Sequence, residues 1–359
     1  MNRLRHFCYL ILLLIVHSFS IIGQESRQYK LLTIGFYNLE NLFDTVDDPL
    51  TFDNEWTPGG RYNWTLEKYR SKVKNLAAVL GSLGNEYTDH PPEIIGVCEA
   101  ENRAVLEDLL REEPFNGYEY SVVHFDSPDR RGIDVALIYR SKIFLPSHEQ
   151  SMRLLLYDED EISKRVYTRD ILVVSGLLDG ETIHLVVNHW PSRRGGEVAS
   201  RPRRIAASKR MKQIVDSLWT KDPYSKIICM GDFNDDPNSL SIRNILKPIR
   251  ARENTKLKSL YNPMEEMHRK GYGTLAYRDN WNLFDQFIIS AELLKKDYSS
   301  LRFFKAGIFN DLSLQTASGR YKGYPFRSND NGHFTGGYSD HYPVYLYLIK
   351  EEGASSEEK

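Results

Sequence analysis

Strand-length apolar runs, each ending on a cluster of polar residues, recur between positions 31 and 349 and alternate with segments of helical periodicity. Residues 31–37, 93–98, 119–124, 134–139, 151–157, 166–178, 182–188, 226–230, 283–289 and 344–349 read as strands, rich in Val, Ile, Leu and Phe. Asp179-Gly180, between two of them, suits the left-handed turn of a hairpin. Leu66, Tyr69, Val73, Leu76, Ala77 and Leu80 recur at helical spacing, as do Ala207, Met211, Ile214, Val215 and Leu218, and residues 101–112 form a shorter predicted helix. This order specifies a mixed α/β chain whose sheets are covered by helices. No repeat and no Pro/Ser linker divides it, so residues 24–350 are expected to be one domain, followed by a polar, disordered tail at 351–359.

The first 23 residues stand apart. Arg3 and Arg5 precede an uncharged apolar run of ten residues, 7–16, with small residues at Ser18, Ser20 and Gly23. The run is too short to span a bilayer, which takes about 20 residues. It has the plan of a secretory signal peptide cut near Gly23, which implies an exported bacterial protein of periplasm, cell surface or medium, without stable membrane insertion.

Charge excludes some functions. The 359 residues carry 47 basic and 49 acidic side chains, a net charge of -2; loss of Arg3 and Arg5 leaves 45 against 49, or -4. That is neither a basic nucleic-acid coat nor an acidic solvating tail, so attraction to phosphate must be local. Three cysteines exclude a disulfide scaffold and a Cys-rich zinc module. Cys98 and Cys229 lie inside apolar runs and are expected to be free, buried thiols.

The polar clusters at strand ends are where a rigid multi-residue site can be assembled. Asn38 and Glu40 follow the first strand and Glu99 the second; Asn188-His189-Trp190 ends the strand at 182–188. Gly231-Asp232-Phe233-Asn234 follows residues 226–230, Asp285 interrupts 283–289, and Ser339-Asp340-His341 precedes the last strand. Carboxylates, amides and two histidines make a hard-oxygen set suited to Mg²⁺, Mn²⁺ or Ca²⁺. His-Glu-x-x-His, a Gly-rich nucleotide loop and Gly-x-Ser-x-Gly are all absent from the sequence, which leaves zinc-protease, P-loop and serine-hydrolase chemistry without support. Phosphoester hydrolysis needs charge neutralisation, a base and an acid, and candidates for each are present.

In order, Asn-Leu-Glu-Asn, the Glu after a buried strand, Asn-His-Trp, Gly-Asp-Phe-Asn, Asp-x-Phe-Ile-Ile-Ser and Ser-Asp-His-Tyr-Pro-Val cover nearly all of the mature chain. This set resembles the endonuclease/exonuclease/phosphatase superfamily, which includes DNase I-like nucleases, abasic-site endonucleases, inositol-polyphosphate 5-phosphatases and bacterial sphingomyelinases. The resemblance implies a DNase I-like four-layer α/β/β/α sandwich of two mostly antiparallel sheets flanked by helices. It also implies roles: Glu99 as the main metal carboxylate, Asn38 beside metal and phosphate, and Asp340 close to the metal. Asp232 and Asn234 would orient the attacking water and a phosphate oxygen, with Asp232 one candidate base. His341 would be a catalytic histidine held by Asp285, and His189 would bind the phosphate or protonate the leaving oxygen. Which histidine is the acid stays open, as does whether Glu40 reaches the metal.

Two features are not covered by the resemblance. Asp134 either orients His189 or begins its strand. Between 193 and 212 stand eight basic residues and one acid, Glu197. Arg193 and Arg194 sit nearest His189 beside Gly195-Gly196, and Arg193 is the candidate phosphate clamp on a loop free to close, the bland reading being a solvated helix entry. The expected activity is therefore an exported, divalent-metal-dependent phosphodiesterase, an endonuclease acting on nucleic acid. The alternatives are a phosphatase or sphingomyelinase-like phospholipase acting on a small phosphoester or headgroup, and, from another class, a catalytically inactive binding module. No protein partner is inferable.

Overall fold

Strands sandwiched between a helical layer and a second sheet are apolar on both faces, and the strands here are built that way. The computed structural model describes residues 27–158, 161 and 163–353; the signal peptide expected at 1–23 and positions 354–359 of the expected tail lie outside them. In β1 (Tyr29–Leu42) Leu32, Ile34 and Phe36 join the core between the sheets, whereas Tyr37 and Leu39 join the core under the helices. In β2 (Ile94–Ala100) Ile94 and Cys98 face inward while Ile95 and Val97 face the helices, the two-residue period of a pleated strand. Gly96 is needed because a Cβ there would meet Met230 Sδ of the opposite sheet at 2.6 Å.

The helices complete the layers. α1 (Leu66–Gly81), capped by Thr65, packs Tyr69, Val73, Leu76, Ala77 and Leu80 on the first sheet, and α2 (Arg103–Leu110), capped by Asn102, packs beside it. The remaining strands are β3 (Tyr120–His124), β4 (Asp134–Arg140), β5 (Phe144–Met152), β6 (Ile171–Leu178), β7 (Glu181–His189), β8 (Ile227–Asp232), β9 (Leu260–Tyr261), β10 (Asp285–Ser290), β11 (Arg302–Ile308) and β12 (Val344–Glu351). α3 (Glu197–Lys221) lies on the second sheet, burying Ala207, Met211, Ile214, Val215 and Leu218 against Cys229 and Ile288. Each such buried aliphatic side chain contributes about 1.5–3 kcal/mol. Cys98 and Cys229 are both free and buried, in different layers.

The two six-stranded sheets have the orders β11-β12-β1-β2-β4-β3 and β9-β10-β8-β7-β6-β5. All neighbours are antiparallel except one central pair in each, β1/β2 and β7/β8. The four-layer sandwich expected of the sequence is therefore the fold observed. Asp179 and Gly180 make the hairpin turn with φ of 50° and 81°. Three local expectations are corrected. The strand expected at 151–157 is β5 followed by the short ladder Leu156–Tyr157/Arg165–Val166. β11 went unread because a bulge between Phe303 and Lys305 breaks its alternation. Gly195 and Gly196 form no mobile loop: Gly196, at φ 107°, caps α3, whose first turns are the Arg-rich segment itself.

Candidate active site

A parallel strand pair delivers both C-terminal ends to one edge, and each sheet has such a pair at its centre. β1 and β2 end together with Asn38 opposite Cys98, so Asn38 and Glu99 come from adjacent strands. β7 and β8 end together with His189 opposite Asp232, and antiparallel β10 starts there with Asp285 opposite Asp232. β12, antiparallel to β1, begins just after His341. Face-to-face packing closes these ends over one another.

The contacts cross between sheets. Asn38 Nδ2 donates to Asp232 Oδ2 at 3.1 Å and to Glu99 Oε1 at 3.5 Å. Glu99 Oε2 accepts from the Asn41 amide at 2.8 Å. His189 Nε2 lies 3.7 Å from Glu99 Oε1 and 3.6 Å from Asp232 Oδ2. His341 Nδ1 is 2.7 Å from Asp285 Oδ2, which directs Nε2 toward Asp232 Oδ2, 4.0 Å away. The Asn234 amide donates to Asp232 Oδ1 at 2.8 Å, and Asn234 Nδ2 donates to the Trp190 carbonyl at 3.0 Å. Glu40, Asn41, Glu99 and Asn234 have φ of 48°, 54°, 62° and 48°. Such left-handed non-glycine backbone is strained and persists where surroundings over-determine it.

Burial and neighbouring charges separate the two histidines. Burial holds His189 well below the usual imidazole range, reinforced by the Arg169 and Arg131 guanidiniums and by His341. Burial opposes the charged form of His341 too, but Asp285, Asp232 and Asp340 outweigh it and hold it well above that range. Burial, with Asp285 and Glu99 near, pushes Asp232 up to about 7 against the pull of His341. Acid/base pairs tuned apart in this way mark catalytic sites.

The donor chemistry fits a hard divalent cation. Glu99 and Asp340 have side chains 14% and 30% exposed, so two carboxylates line the opening above the buried Asp232, Asp285 and both histidines. Donor atoms of Asp232, Asp285 and His341, and of Cys98, His189 and Asp232, also lie within 4.8 Å of one another. Cys98 belongs to the inter-sheet core, and burial, with Asp232 and Glu99 close by, raises its thiol well above the usual range, so no thiolate is on offer. The available donors are carboxylate and amide oxygens with imidazole, the set expected for Mg²⁺ or Mn²⁺ rather than structural zinc.

Three candidate residues do not take the site roles considered for them. Glu40 turns away from Glu99: its carboxylate accepts from the Ser328 amide at 2.6 Å, Ser328 Oγ at 2.9 Å and Arg327 Nε at 3.3 Å. Asp134 does not orient His189. It accepts from the Ser127 amide at 2.9 Å and lies 3.2 Å from His124 Nε2, while His189 Nδ1 has no hydrogen-bond partner among the described residues. Arg193 is no open phosphate clamp, because it donates to the Asn234 carbonyl at 2.9 Å, meets Asp235 and Asp236 at 3.3 and 3.1 Å and covers the Phe284 ring. It braces the Asn234 turn. Arg194 is exposed without an ion-pair partner among the described residues.

Other supporting residues were not read from the sequence. Buried Arg169 holds the Trp190 carbonyl at 2.7 Å and Asp129 at 3.1 Å. Fully buried Lys72 bonds the Glu40 carbonyl and, at 2.9 Å, Ser328 Oγ. Its signal was present: a lysine within the apolar stripe of Tyr69, Val73 and Leu76. Arg327 bridges Glu40 and Asp340.

The Endonuclease/Exonuclease/phosphatase family model matches residues 33–350. No curated protein sequence matches the chain. Solved structures do. D. rerio TDP2 humanized by 14 mutations superposes with a TM-score of 0.52 at 14% identity, over 89% of this chain and 98% of that one. D. rerio TDP2 complexed with single strand DNA product gives 0.52 at 13%, over 89% and 99%. An endonuclease/exonuclease/phosphatase family protein from Bacteroides thetaiotaomicron gives 0.50 at 17%, over 93% and 100%. At these identities the likeness is one of fold.

Proposed function

The chain belongs to the endonuclease/exonuclease/phosphatase family, and on that premise we propose that it is an exported, divalent-metal-dependent phosphodiesterase that cleaves nucleic acid as an endonuclease. The observation that carries the chemistry is the convergence of both sheets on Asp232, whose Oδ2 lies 3.1 Å from Asn38 Nδ2, 3.6 Å from His189 Nε2 and 4.0 Å from His341 Nε2. Glu99, with Asn38 and Asp340 beside it, would hold Mg²⁺ or Mn²⁺, which supplies charge neutralisation at the phosphate. Asp232 accepts the proton of the attacking water, and Asn234 fixes the backbone that aims it. His341, charged through Asp285, donates to the phosphate and to the leaving oxygen. His189, neutral, donates a hydrogen bond from Nε2 to a phosphate oxygen.

Export rests on Arg3 and Arg5 ahead of the apolar run at 7–16, and sequencing the N-terminus of secreted protein checks it. The nuclease reading draws further support from a fold shared with a TDP2 structure whose bound molecule is single strand DNA product. The Arg-rich segment contributes less than its composition suggests, since Arg193, Arg201, Arg204 and Lys212 pair with Asp235 and Asp236, Glu197, Asp235 and Asp216.

A second reading, hydrolysis of a small phosphoester with a neutral or cationic remainder, is favoured by one feature. A cleft of about 690 Å³ on the β2/β4 flank is lined by Asp44, Asp48, Glu101, Asp126, Asp129 and Asp134. Burial, with Asp44 and Asp53 near, pushes Glu101 up to about 8, a mark of crowded negative charge. Supercoiled plasmid, single-stranded RNA, p-nitrophenyl phosphate and sphingomyelin, offered in parallel with each metal, separate the readings. Nicked plasmid or cut RNA supports the nuclease; turnover of the monoester or of sphingomyelin alone replaces it. An inactive binding module requires that none of these be cleaved.

A further inference from the structure

The aromatic stretch around Tyr321–Tyr324 is not used by the catalytic site, yet the fold joins it to that site. Tyr342, directly after His341, stacks on Trp281 at 6.0 Å with 12° between the rings. Trp281 meets Tyr324 at 5.8 Å, and Tyr324 meets Tyr321 at 5.5 Å. The rings come from three segments: the hairpin Leu275–Tyr277/Asn280–Asn282, the loop before residue 326, and Tyr342 just ahead of β12. The Tyr342 amide donates to the Thr274 carbonyl at 2.8 Å, and the Asp285 amide lies 3.3 Å from Thr274 Oγ1, so the hairpin hangs from the catalytic strands. Tyr324 Oη bonds the Asp279 carboxylate at 2.6 Å and accepts from its amide at 2.8 Å, while Tyr342 Oη donates to the Gly323 carbonyl at 3.0 Å. Tyr324 and the buried Tyr342 are thus tied at their polar ends, and the rings packed around them offer faces to solvent: Trp281 is 37%, Tyr321 49% and nearby Tyr277 61% exposed.

Cations are interleaved with these rings. Arg278 lies over Tyr277 at 5.3 Å and Arg320 over Tyr321 at 5.7 Å, with Lys322 next along the loop. None of the three has an ion-pair partner among the described residues. The acidic cleft lies on the other side of β1, toward β4, so the two flanks of the catalytic edge are of opposite character. A polyanion is repelled from one flank and drawn to the other.

We infer that the exposed part of this ridge, Trp281, Tyr324 and Tyr321, anchored to the site through the buried Tyr342 beside His341, is a stacking platform for single-stranded nucleic acid. It rests on the nuclease reading above and narrows it to unpaired strands. Bases of any identity stack on fixed aromatic faces, and Arg278, Arg320 and Lys322 meet the phosphates between them. A duplex keeps its bases stacked inside and offers the ridge only its backbone. An apolar wedge for lipid would be unpinned and free of interleaved cations; these rings are pinned and flanked by charge.

The test is anisotropy of a short fluorescein-labelled oligothymidylate and of its duplex, binding the full chain in EDTA so that neither is cut. The single strand is expected to bind more tightly, and Trp281→Ala and Tyr321→Ala each to weaken it about ten-fold. Trp281→Phe should restore most of the loss. Turnover of bis-p-nitrophenyl phosphate with Mn²⁺, too small to reach the ridge, should stay unchanged in Tyr321→Ala. Unchanged strand affinity in both alanine variants overturns the platform, as does loss of binding to phosphatidylcholine vesicles in those variants while strand affinity stays the same. Wild-type protein that binds the strand through these rings but cleaves no phosphodiester removes the nuclease reading and leaves the platform standing. Cleavage with strand affinity untouched by ring removal does the reverse.

Discussion

His189 and His341 have the same intrinsic basicity and are separated only by what touches them. His341 has a carboxylate at 2.7 Å on Nδ1, whereas His189 Nδ1 has no hydrogen-bond partner among the described residues and Arg169 is near. The first is held charged and the second neutral. This has a signed consequence. Asp232 must be ionised to accept a proton, so turnover should fall as pH drops through about 7. His341 must be protonated, so turnover should also fall well above the ordinary imidazole range. Asp285→Asn removes the charge that raises His341, and the alkaline limb should then move to lower pH, with kcat down about 10²–10⁴-fold. A kcat–pH profile of the variant reads both changes, and an unmoved alkaline limb would reject the role given to Asp285. Most of this constellation was legible, because Glu99, His189 and Asp232 sit where a short apolar run stops and His341 just before one starts. Lys72 showed only as a lysine within an apolar stripe, and Arg169 not at all, since what gives each its role is a partner remote in sequence: Ser328 lies 256 positions from Lys72.

Between strands, the end opposite the site is held by a half-buried ionic cluster. Glu181, opening β7, bonds Lys226 before β8, Lys350 of β12 at 2.8 Å and the Leu301 amide at 3.0 Å, tying one sheet to the other. Burial alone would raise the Glu181 carboxyl, but Lys226, Lys350 and Ser300 pull it from 4.5 down to about 2. A depressed carboxylate stabilises fully above its unfolded value and loses that contribution as pH falls through its folded value. Glu181→Gln should therefore lower unfolding free energy by about 3 kcal/mol at pH 7, with the difference shrinking between pH 4.5 and 2. Urea melts at neutral and acid pH measure it, and a pH-independent difference would contradict the assignment. Elements differed in how plainly they could be read. β1, β2, β7 and β8 each carry a largely apolar run because both faces are covered, and such runs are hard to mistake. α3 hid its start: Pro202 and five arginines between 193 and 204 read as a basic loop, and only Asp235 against Arg204 and Glu197 against Arg201 explain why it is helical.

Across the fold, two parallel pairs in facing sheets converge their ends at one edge, and that edge divides the surface by charge. Carboxylates gather on the β4 flank, rings and unpaired cations on the β12 flank, with Glu99 and Asp340 at the opening between them. Nothing in the net charge of -2 foretold this division, because composition sums over loops that topology sends to opposite sides. Among the described residues no helix is long and apolar enough to cross a membrane. The function proposed above makes hydrolysis depend on a cation held by Glu99. The decisive measurement is the turnover of bis-p-nitrophenyl phosphate by purified protein with Mn²⁺ or Mg²⁺, with EDTA, and by Glu99→Ala. Turnover with metal, its loss in EDTA and a fall of at least about 10²-fold in Glu99→Ala are the predicted result. Turnover that survives both EDTA and Glu99→Ala would contradict it.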